Sequence, residues 1–355
     1  MATKYLRNAW YPAAWGNEVS DNLLSRVLLD SPIVLFRSKD GVAAALDDRC
    51  PHRFAPLSRG LCTDGVIRCG YHGLRFDASG ACVESPYSTT PPARVRVRSY
   101  PLVERDGLLW IWMGEPALAD AATIADFGFM NDAHSYRTLC GLSHVRCDYQ
   151  LVSDNLMDLS HIEFLHGGTF GGQGVIKMGR YKATEVGTTV HSDWWMPDIP
   201  NPPSQERNFP MHGKHVDHWI DMRWNAPASM LLDVGVTPTG RPRQEGSHIL
   251  GAHLLTPETK GSCHYFWSMA RTYARDSRQV DDAVRAYLVK AFDQEDTPMI
   301  EAVAASMGNR EFWDLKPLLL PIDEGAVRVR RRLASMIEAE AMRSYDPASA
   351  GSAQA

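Results

Sequence analysis

The sequence predicts an α+β protein of two domains, an all-β N-terminal domain followed by a mixed α+β domain. Three observations carry that reading. The 355 residues exceed what one hydrophobic core usually holds. Between residues 30 and 115, short β-rich runs alternate with turn dipeptides. Beyond Tyr149, apolar residues recur at helical spacing and further strand-like runs follow.

In the first region the runs are Ile33 to Phe36, Val42 to Leu46 and Leu108 to Trp112. They are punctuated by Asp40-Gly41, Asp64-Gly65, Ser79-Gly80 and Asp106-Gly107, which are hairpin signals. From Gly114-Glu115-Pro116 to about Asp126 a turn and an alanine-rich polar stretch interrupt the pattern, so the expected domains are 1–118 and 119–345. The small, polar residues 346–355 are expected to be a disordered tail.

In the second region a helix is expected over about 150–166, with Gly167-Gly168 as its stop. Residues 193–213 carry Trp194, Trp195, Pro197, Pro200, Pro202, Pro203 and Pro210 and read as a long irregular loop of the kind that covers a pocket. Strand-like runs return at Ser229 to Val236, His248 to Leu255 and His264 to Ala270. Helical patterns follow from about Val280 to Met307 and from Glu324 to Met342. There is no internal repeat.

Composition excludes several classes of function. Hydrophobic residues make up 44% and charged residues 22%, as in globular domains. A net charge of −5 provides no global positive field for nucleic acid or an anionic membrane, so neither is an expected partner. The first residues lack the apolar run of a secretory signal. The longest strongly apolar stretch, Leu108 to Met113, is too short to span a bilayer, and a cytoplasmic protein is expected. Seven cysteines, an odd number, argue for metal ligands or free thiols rather than a disulfide framework.

The strongest chemical signal is a pair of mixed motifs, Cys50-Pro51-His52 and Cys69-Gly70-Tyr71-His72. One thiolate and one imidazole from each of two loops can hold a [2Fe-2S] cluster, two sulfurs on one iron and two nitrogens on the other. Structural zinc is the rival, since two cysteines and two histidines also make a tetrahedral site. Zinc fingers, however, usually pair like with like.

The second signal lies in the run from Asp154 to His166, which contains His161 and His166. Two neutral imidazoles and one carboxylate on one face of Fe(II) leave positions for O2 and substrate. Residues five apart stand about 140° apart around an ideal helix, so His166 is expected at the fraying helix end. Histidines near a helix end also serve as caps or satisfied core residues. A cluster that accepts single electrons needs a place to deliver them, which favours the ligand reading.

The run Cys50-Pro51-His52-Arg53, the block from Cys69 to Leu74 and the segment from Asp154 to His166 resemble Rieske oxygenases of the vanillate and dicamba O-demethylase type. The likeness extends to Arg7-Asn8-Ala9-Trp10-Tyr11, Val103-Glu104-Arg105, Leu109 to Trp112 and Leu255 to Thr259. Respiratory Rieske proteins carry an extra bridging cysteine in each loop, whereas Ala55 and Tyr71 stand there here.

The resemblance implies an N-terminal Rieske domain and a helix-grip catalytic domain, an antiparallel sheet with helices. Cys50, His52, Cys69 and His72 would ligate the cluster, and His161, His166 and Asp296 a mononuclear Fe(II). Resemblance alone selects Asp296, because Asp293 and Glu295 are neighbouring rivals and such acidic groups often form only a solvated face. Asp158 would bridge a metal-site histidine to a Rieske histidine of the next subunit, which implies a homotrimer. Asp154 and Asn155 would act as helix-entry caps or support.

The implied reaction is O2-dependent oxidative O-demethylation of a methoxylated aromatic, giving a phenol and formaldehyde. The alternative is hydroxylation of a methyl or ring carbon of another aromatic acid. No nicotinamide or flavin fingerprint is visible, so NAD(P)H acts indirectly through a separate ferredoxin-type reductase, with Arg53, Arg59, Arg68 and Arg75 as possible steering charges. By position in the family, Leu232, His253 and Tyr287 are candidate substrate residues. Leu232 replaces a polar amide and Tyr287 a tryptophan of one related class, which leaves the substrate open.

Overall fold

A computed structural model describes residues 4–20, 22–90, 94–167, 178–206 and 209–344. The chain forms two compact units. The first comprises Met1–Ile124, Thr256–Lys260 and Ile337–Ala355, and the second Ala125–Leu255 and Gly261–Met336.

The first unit holds three small antiparallel sheets. β1 (Trp10–Trp15), β10 (Leu108–Trp112) and β9 (Leu102–Arg105) form one, and β2 (Leu24–Leu28), β3 (Ser31–Arg37) and β4 (Ala43–Asp47) another. The third is β5 (Leu61–Thr63), β6 (Val66–Arg68), β7 (Arg75–Phe76) and β8 (Cys82–Glu84) in sequence order. Asp64-Gly65 and Asp106-Gly107 hold positive φ at both residues, 52° and 73°, then 55° and 74°. Such turns match strand twist and close the β5–β6 and β9–β10 hairpins. Segment 256–260 joins this unit through backbone bonds from Leu29 to Pro257 and from Asp30 to Glu258, 2.8 and 2.9 Å. Glu340 caps the amide of Arg7 at 2.8 Å.

The second unit is built on a seven-stranded antiparallel sheet. Its strands are β11 (Arg137–Val145), β12 (Arg180–Val186), β13 (Thr189–Pro200), β14 (His215–Asn225), β15 (Ser229–Pro238), β16 (Ser247–Thr259) and β17 (Ser262–Arg271). Strands β12 to β17 follow one another in space, and β11 closes on β17. Two glycines make room for tryptophans on the next strand. A side chain at Gly235 would collide with Trp219, and one at Gly141 with Trp267. The longer helices among the described residues are α1 (Tyr149–Met157), α2 (Arg278–Val289), α3 (Thr297–Met307) and α4 (Glu324–Ser344), the last running from this unit into the segment 337–355 of the first. This is the α+β architecture the sequence predicts. Among the described residues no helix is long and apolar enough to cross a membrane.

Two expectations are corrected. The proline-rich stretch 193–213 is not one irregular loop, because β13 runs on to Pro200 with Val190, Ser192, Trp194 and Met196 buried at period two. A bulge between Met196 and Ile199 absorbs Pro197, since proline cannot donate to a regular ladder. The helix expected over 150–166 stops at Met157 and is replaced by a tighter 3₁₀ turn over Leu159–Glu163. Gly168 and the tail 346–355 lie outside the described residues.

Candidate metal centres

The two cysteine–histidine loops have the same backbone plan. The amide of Cys50 donates to the carbonyl of Ala55 and that of Cys69 to Leu74, both at 2.8 Å. Phe54 returns a bond to Cys50 and Gly73 to Cys69, at 2.9 and 3.0 Å. Phe54 and Gly73 occupy equivalent places with φ of 60° and 77°, the left-handed conformation that closes each loop. Asp48 braces the first loop by accepting from the amide and hydroxyl of Ser58, 2.6 and 2.5 Å.

Both cysteines are 2% exposed, whereas His52 is exposed and His72 half-buried. The two imidazole rings meet at 4.5 Å between centroids. Burial, with Cys69 beside it, pushes the Cys50 thiol up to about 11. A thiolate there needs a neighbouring cation, which a metal cluster provides. Of the nearby arginines, Arg53, Arg59 and Arg68 are exposed, whereas Arg75 is paired with Glu84 at 2.7 Å.

The second site is assembled from two interrupted helices. Asp158 ends α1 by donating its amide to Asp154, and its carboxylate caps the next turn through the amide of Ser160 at 2.9 Å. That break re-aims the chain, so the 140° separation of a continuous helix does not apply. His161 and His166 come together with ring centroids 5.2 Å apart. Between α2 and α3 the helix widens into a π segment, Lys290–Asp296, and the amide of Thr297 reaches the carbonyl of Phe292 five residues back. Pro298 has no amide hydrogen for the carbonyl of Gln294 and its ring crowds that position, which explains the widening.

His161, His166 and Asp296 bring one donor atom each within 4.8 Å of one another. The Nε2 atoms of His161 and His166 lie 3.4 and 3.2 Å from the same Asp296 oxygen. Their Nδ1 atoms are already engaged, with the carbonyl of Asp158 at 2.5 Å and with Glu295 at 2.7 Å. Holding Nδ1 fixes each ring and presents Nε2 to a metal. Asn155 adds a bond to Asp296 at 3.2 Å. Burial pulls the pKa of His166 down, but its bonds to Asp296 and Glu295 outweigh that and raise it, so the site is built for positive charge. Two imidazoles and a carboxylate converging with their second nitrogens occupied fit an iron ion.

The structure therefore separates the three acidic rivals. Asp296 faces both histidines, Glu295 supports His166, and Asp293 bonds to Ser143 at 2.6 Å on the surface. Asp154 lies elsewhere, in a two-pronged pair with Arg330 at 2.6 to 2.9 Å.

The three metal-site residues line a cavity of about 370 Å³. Leu232, His253 and Tyr287 line it too. Its walls are mostly apolar, including Ile220, Met222, Val234, Ile249 and Phe292. Sequence reasoning missed His218, Gln205 and Phe292 as lining residues. The period-two series His218, Ile220, Met222 on β14 was the available signal for the first.

A family model of the Rieske [2Fe-2S] domain matches residues 9–101, and a model of the vanillate O-demethylase oxygenase C-terminal domain matches residues 145–339. The oxygenase component of dicamba O-demethylase from Stenotrophomonas maltophilia is 41% identical, over 95% of this chain and 99% of its own length. The oxygenase component of chloroacetanilide N-alkylformylase from Rhizorhabdus wittichii is 39% identical over 98% and 100%. The crystal structure of dicamba monooxygenase bound to 3,6-dichlorosalicylic acid superposes with a TM-score of 0.90 at 40% identity, covering 95% of this chain and 99% of that one.

A mixed-ligand cluster domain joined to a two-histidine, one-carboxylate site defines a Rieske non-haem iron oxygenase, an iron enzyme that uses a [2Fe-2S] cluster, O2 and electrons from a reductase. Structural zinc is thereby set aside. Within that class the chain belongs to the vanillate O-demethylase oxygenase family, as the oxygenase component of a multicomponent system.

Proposed function

We propose that this chain catalyses oxidative O-demethylation of a methoxylated aromatic, ArOCH3 + O2 + 2e⁻ + 2H⁺ giving ArOH, HCHO and water. One observation carries the reading: the histidine–histidine–aspartate group lines a largely apolar cavity of about 370 Å³, of a size for a small aromatic molecule. Its likeness to a dicamba O-demethylase component along almost the whole chain points to the same bond.

Cys50, His52, Cys69 and His72 would hold the cluster, and His161, His166 and Asp296 the iron. Iron held there supplies activation of O2 with electrons passed on from the cluster. The residues around it do the rest. Glu295 and the Asp158 carbonyl fix the two imidazoles, Phe292 and Ile220 exclude water, and the cavity walls present the substrate's methyl group. Asp158 keeps one carboxylate oxygen without a described partner, which supports its role as a bridge to a Rieske histidine of the neighbouring subunit.

We place the Rieske domain at residues 1–118 and the catalytic domain at 119–345, and the protein in the cytoplasm as a homotrimer. Met299 and Val303, which lie together, and Trp313, Leu318 and Leu320 are exposed apolar side chains of the kind assembly would cover, and sedimentation of a monomer at full activity would exclude it. Exposed Arg53, Arg59 and Arg68 beside the cluster loops fit an acidic reductase surface.

The test supplies a reductase and NAD(P)H and screens methoxylated aromatics for O2 uptake with equimolar formaldehyde. Uptake coupled to hydroxylated products without formaldehyde would assign hydroxylation of a methyl or ring carbon instead.

A further inference from the structure

The end of α1 is held from outside by a chain of hydroxyls. Any α-helix leaves its last carbonyls without partners inside the helix. That of Met157 accepts the hydroxyl of Ser192 on β13 at 2.7 Å, with both residues fully buried. A carbonyl only accepts, so the single hydroxyl hydrogen of Ser192 is committed to it. Ser192 Oγ also lies 3.2 Å from Oη of Tyr181 on β12, and in that contact Ser192 must accept. Tyr181 in turn accepts the amide of Gly325, in the first turn of α4, at 2.9 Å. The donors thus run one way, from Gly325 to Tyr181, to Ser192, to the end of α1.

The surroundings keep this chain in place. The Tyr181 ring packs on Trp194 with centroids 5.0 Å apart. A side chain on Gly325 would begin 2.9 Å from the Tyr181 oxygen and 3.1 Å from Ser192, so glycine lets the backbone of α4 come down on the pair. Burial pushes the Tyr181 phenol above its ordinary value, so it keeps the proton that it donates.

What the chain holds is the peptide between Met157 and Asp158. Its carbonyl is pinned by Ser192, and its amide donates to the carbonyl of Asp154 at 3.0 Å. The Asp154 side chain is itself gripped by Arg330 at 2.6 to 2.9 Å. A peptide unit is planar, so fixing both of its polar atoms fixes the direction in which Asp158 leaves it. Asp158 departs from the helix there, with φ −107° and ψ 90°. Its carbonyl then meets Nδ1 of His161 and one carboxylate oxygen caps Ser160. Tyr181 is close enough to feel the charge of that carboxylate. Without the Ser192 hydroxyl the Met157 carbonyl would be buried and unbonded, and turning the peptide toward another donor would relieve it. Such a turn re-aims every group of Asp158.

We infer that Ser192 and Tyr181 are positioning residues for electron transfer, holding the Met157–Asp158 peptide so that Asp158 presents its carbonyl to His161 and its carboxylate to the neighbouring subunit. The neighbouring-subunit half rests on the bridging role proposed for Asp158; the His161 half rests on the bonds alone.

The test uses the anaerobic holoprotein, without substrate, and compares Ser192→Ala, Tyr181→Phe, the double variant and Asp158→Asn. Hydrogen exchange followed by mass spectrometry reads the amides of 155–161, and a redox titration of the cluster's low-g electron-spin signal reads its potential. Ser192→Ala should speed exchange of that segment roughly tenfold while β14 and β15 keep their rates. Tyr181→Phe, which loosens Ser192 without removing its hydroxyl, should do less. The double variant should exchange no faster than Ser192→Ala, because both hydroxyls act through one bond, whereas independent losses of packing would add. Asp158→Asn should raise the cluster potential by removing a charge beside a cluster histidine, and Ser192→Ala should shift it the same way by less. Unchanged exchange over 155–161, a rise spread evenly over the sheet, or additive effects in the double variant overturn the inference. So does a potential that moves in Asp158→Asn and stays fixed in Ser192→Ala. A potential that Asp158→Asn leaves unmoved sinks the bridging role instead, and the exchange rates then decide the positioning of Asp158 toward His161 by themselves.

Discussion

Each cluster loop closes on itself, a cysteine amide bonded to a carbonyl five residues on, while the mononuclear site joins a broken helix to a widened one far along the chain. The first needs only local turns and leaves its histidines toward solvent, where electrons enter and leave. The second is buried, and each histidine needs a further oxygen, from Asp158 or Glu295, to hold its ring. A local site is carried by a motif, whereas an assembled site is carried by the fold that supports it. Damage to the second should therefore leave the first intact.

The largest expected effect comes from Asp296→Asn, which removes the only carboxylate of the triad. One iron per chain and all turnover should be lost, while the low-g electron-spin signal of the cluster stays. A variant that keeps its mononuclear iron would remove Asp296 from the ligand set. Next is Asp158→Asn, which keeps both metals by elemental analysis but loses turnover, because its carboxylate is assigned to transfer between subunits rather than to binding. Near-normal activity would refute that role.

Glu295→Gln is milder. The amide still reaches His166 but removes a charge, and iron affinity should fall about 10–100-fold with the cluster unchanged. An unchanged dissociation constant would show that Glu295 only occupies space.

The smallest effect is a flat line. His218 and His253, held near pKa 4, stay neutral, so binding of an uncharged ligand should not vary between about pH 5.5 and 8. Their folded pKa lies below the unfolded value of about 6.5. The stability they contribute is therefore present above that value and lost as pH falls from there towards about 4. A binding midpoint near pH 6.5 would mean ordinary solvated imidazoles.

Much of the molecule was legible before folding. The Asp-Gly hairpins fell where the dipeptides stand, and the strand-like runs at 229, 248 and 264 became β15, β16 and β17. The proline-rich stretch misled because composition outweighed its period-two burial, which a single bulge allowed to continue. The helix over 150–166 misled because Asp158 can cap in both directions, ending one helix and opening the next. Sequence spacing also left Asp293, Glu295 and Asp296 level, since adjacent helix positions point about 100° apart and only the π segment decides which carboxylate faces the histidines.

By itself the sequence determined the chemistry that short-range geometry can hold: two cysteine–histidine loops, their turns, and the alternation that builds the sheet. Tertiary structure alone decided which carboxylate joins His161 and His166, and which groups hold the rings of His218 and His253, the Gly235 carbonyl and the Tyr265 hydroxyl. Those choices depend on partners such as Gly235 and Tyr265 that pack against them only once distant strands have paired.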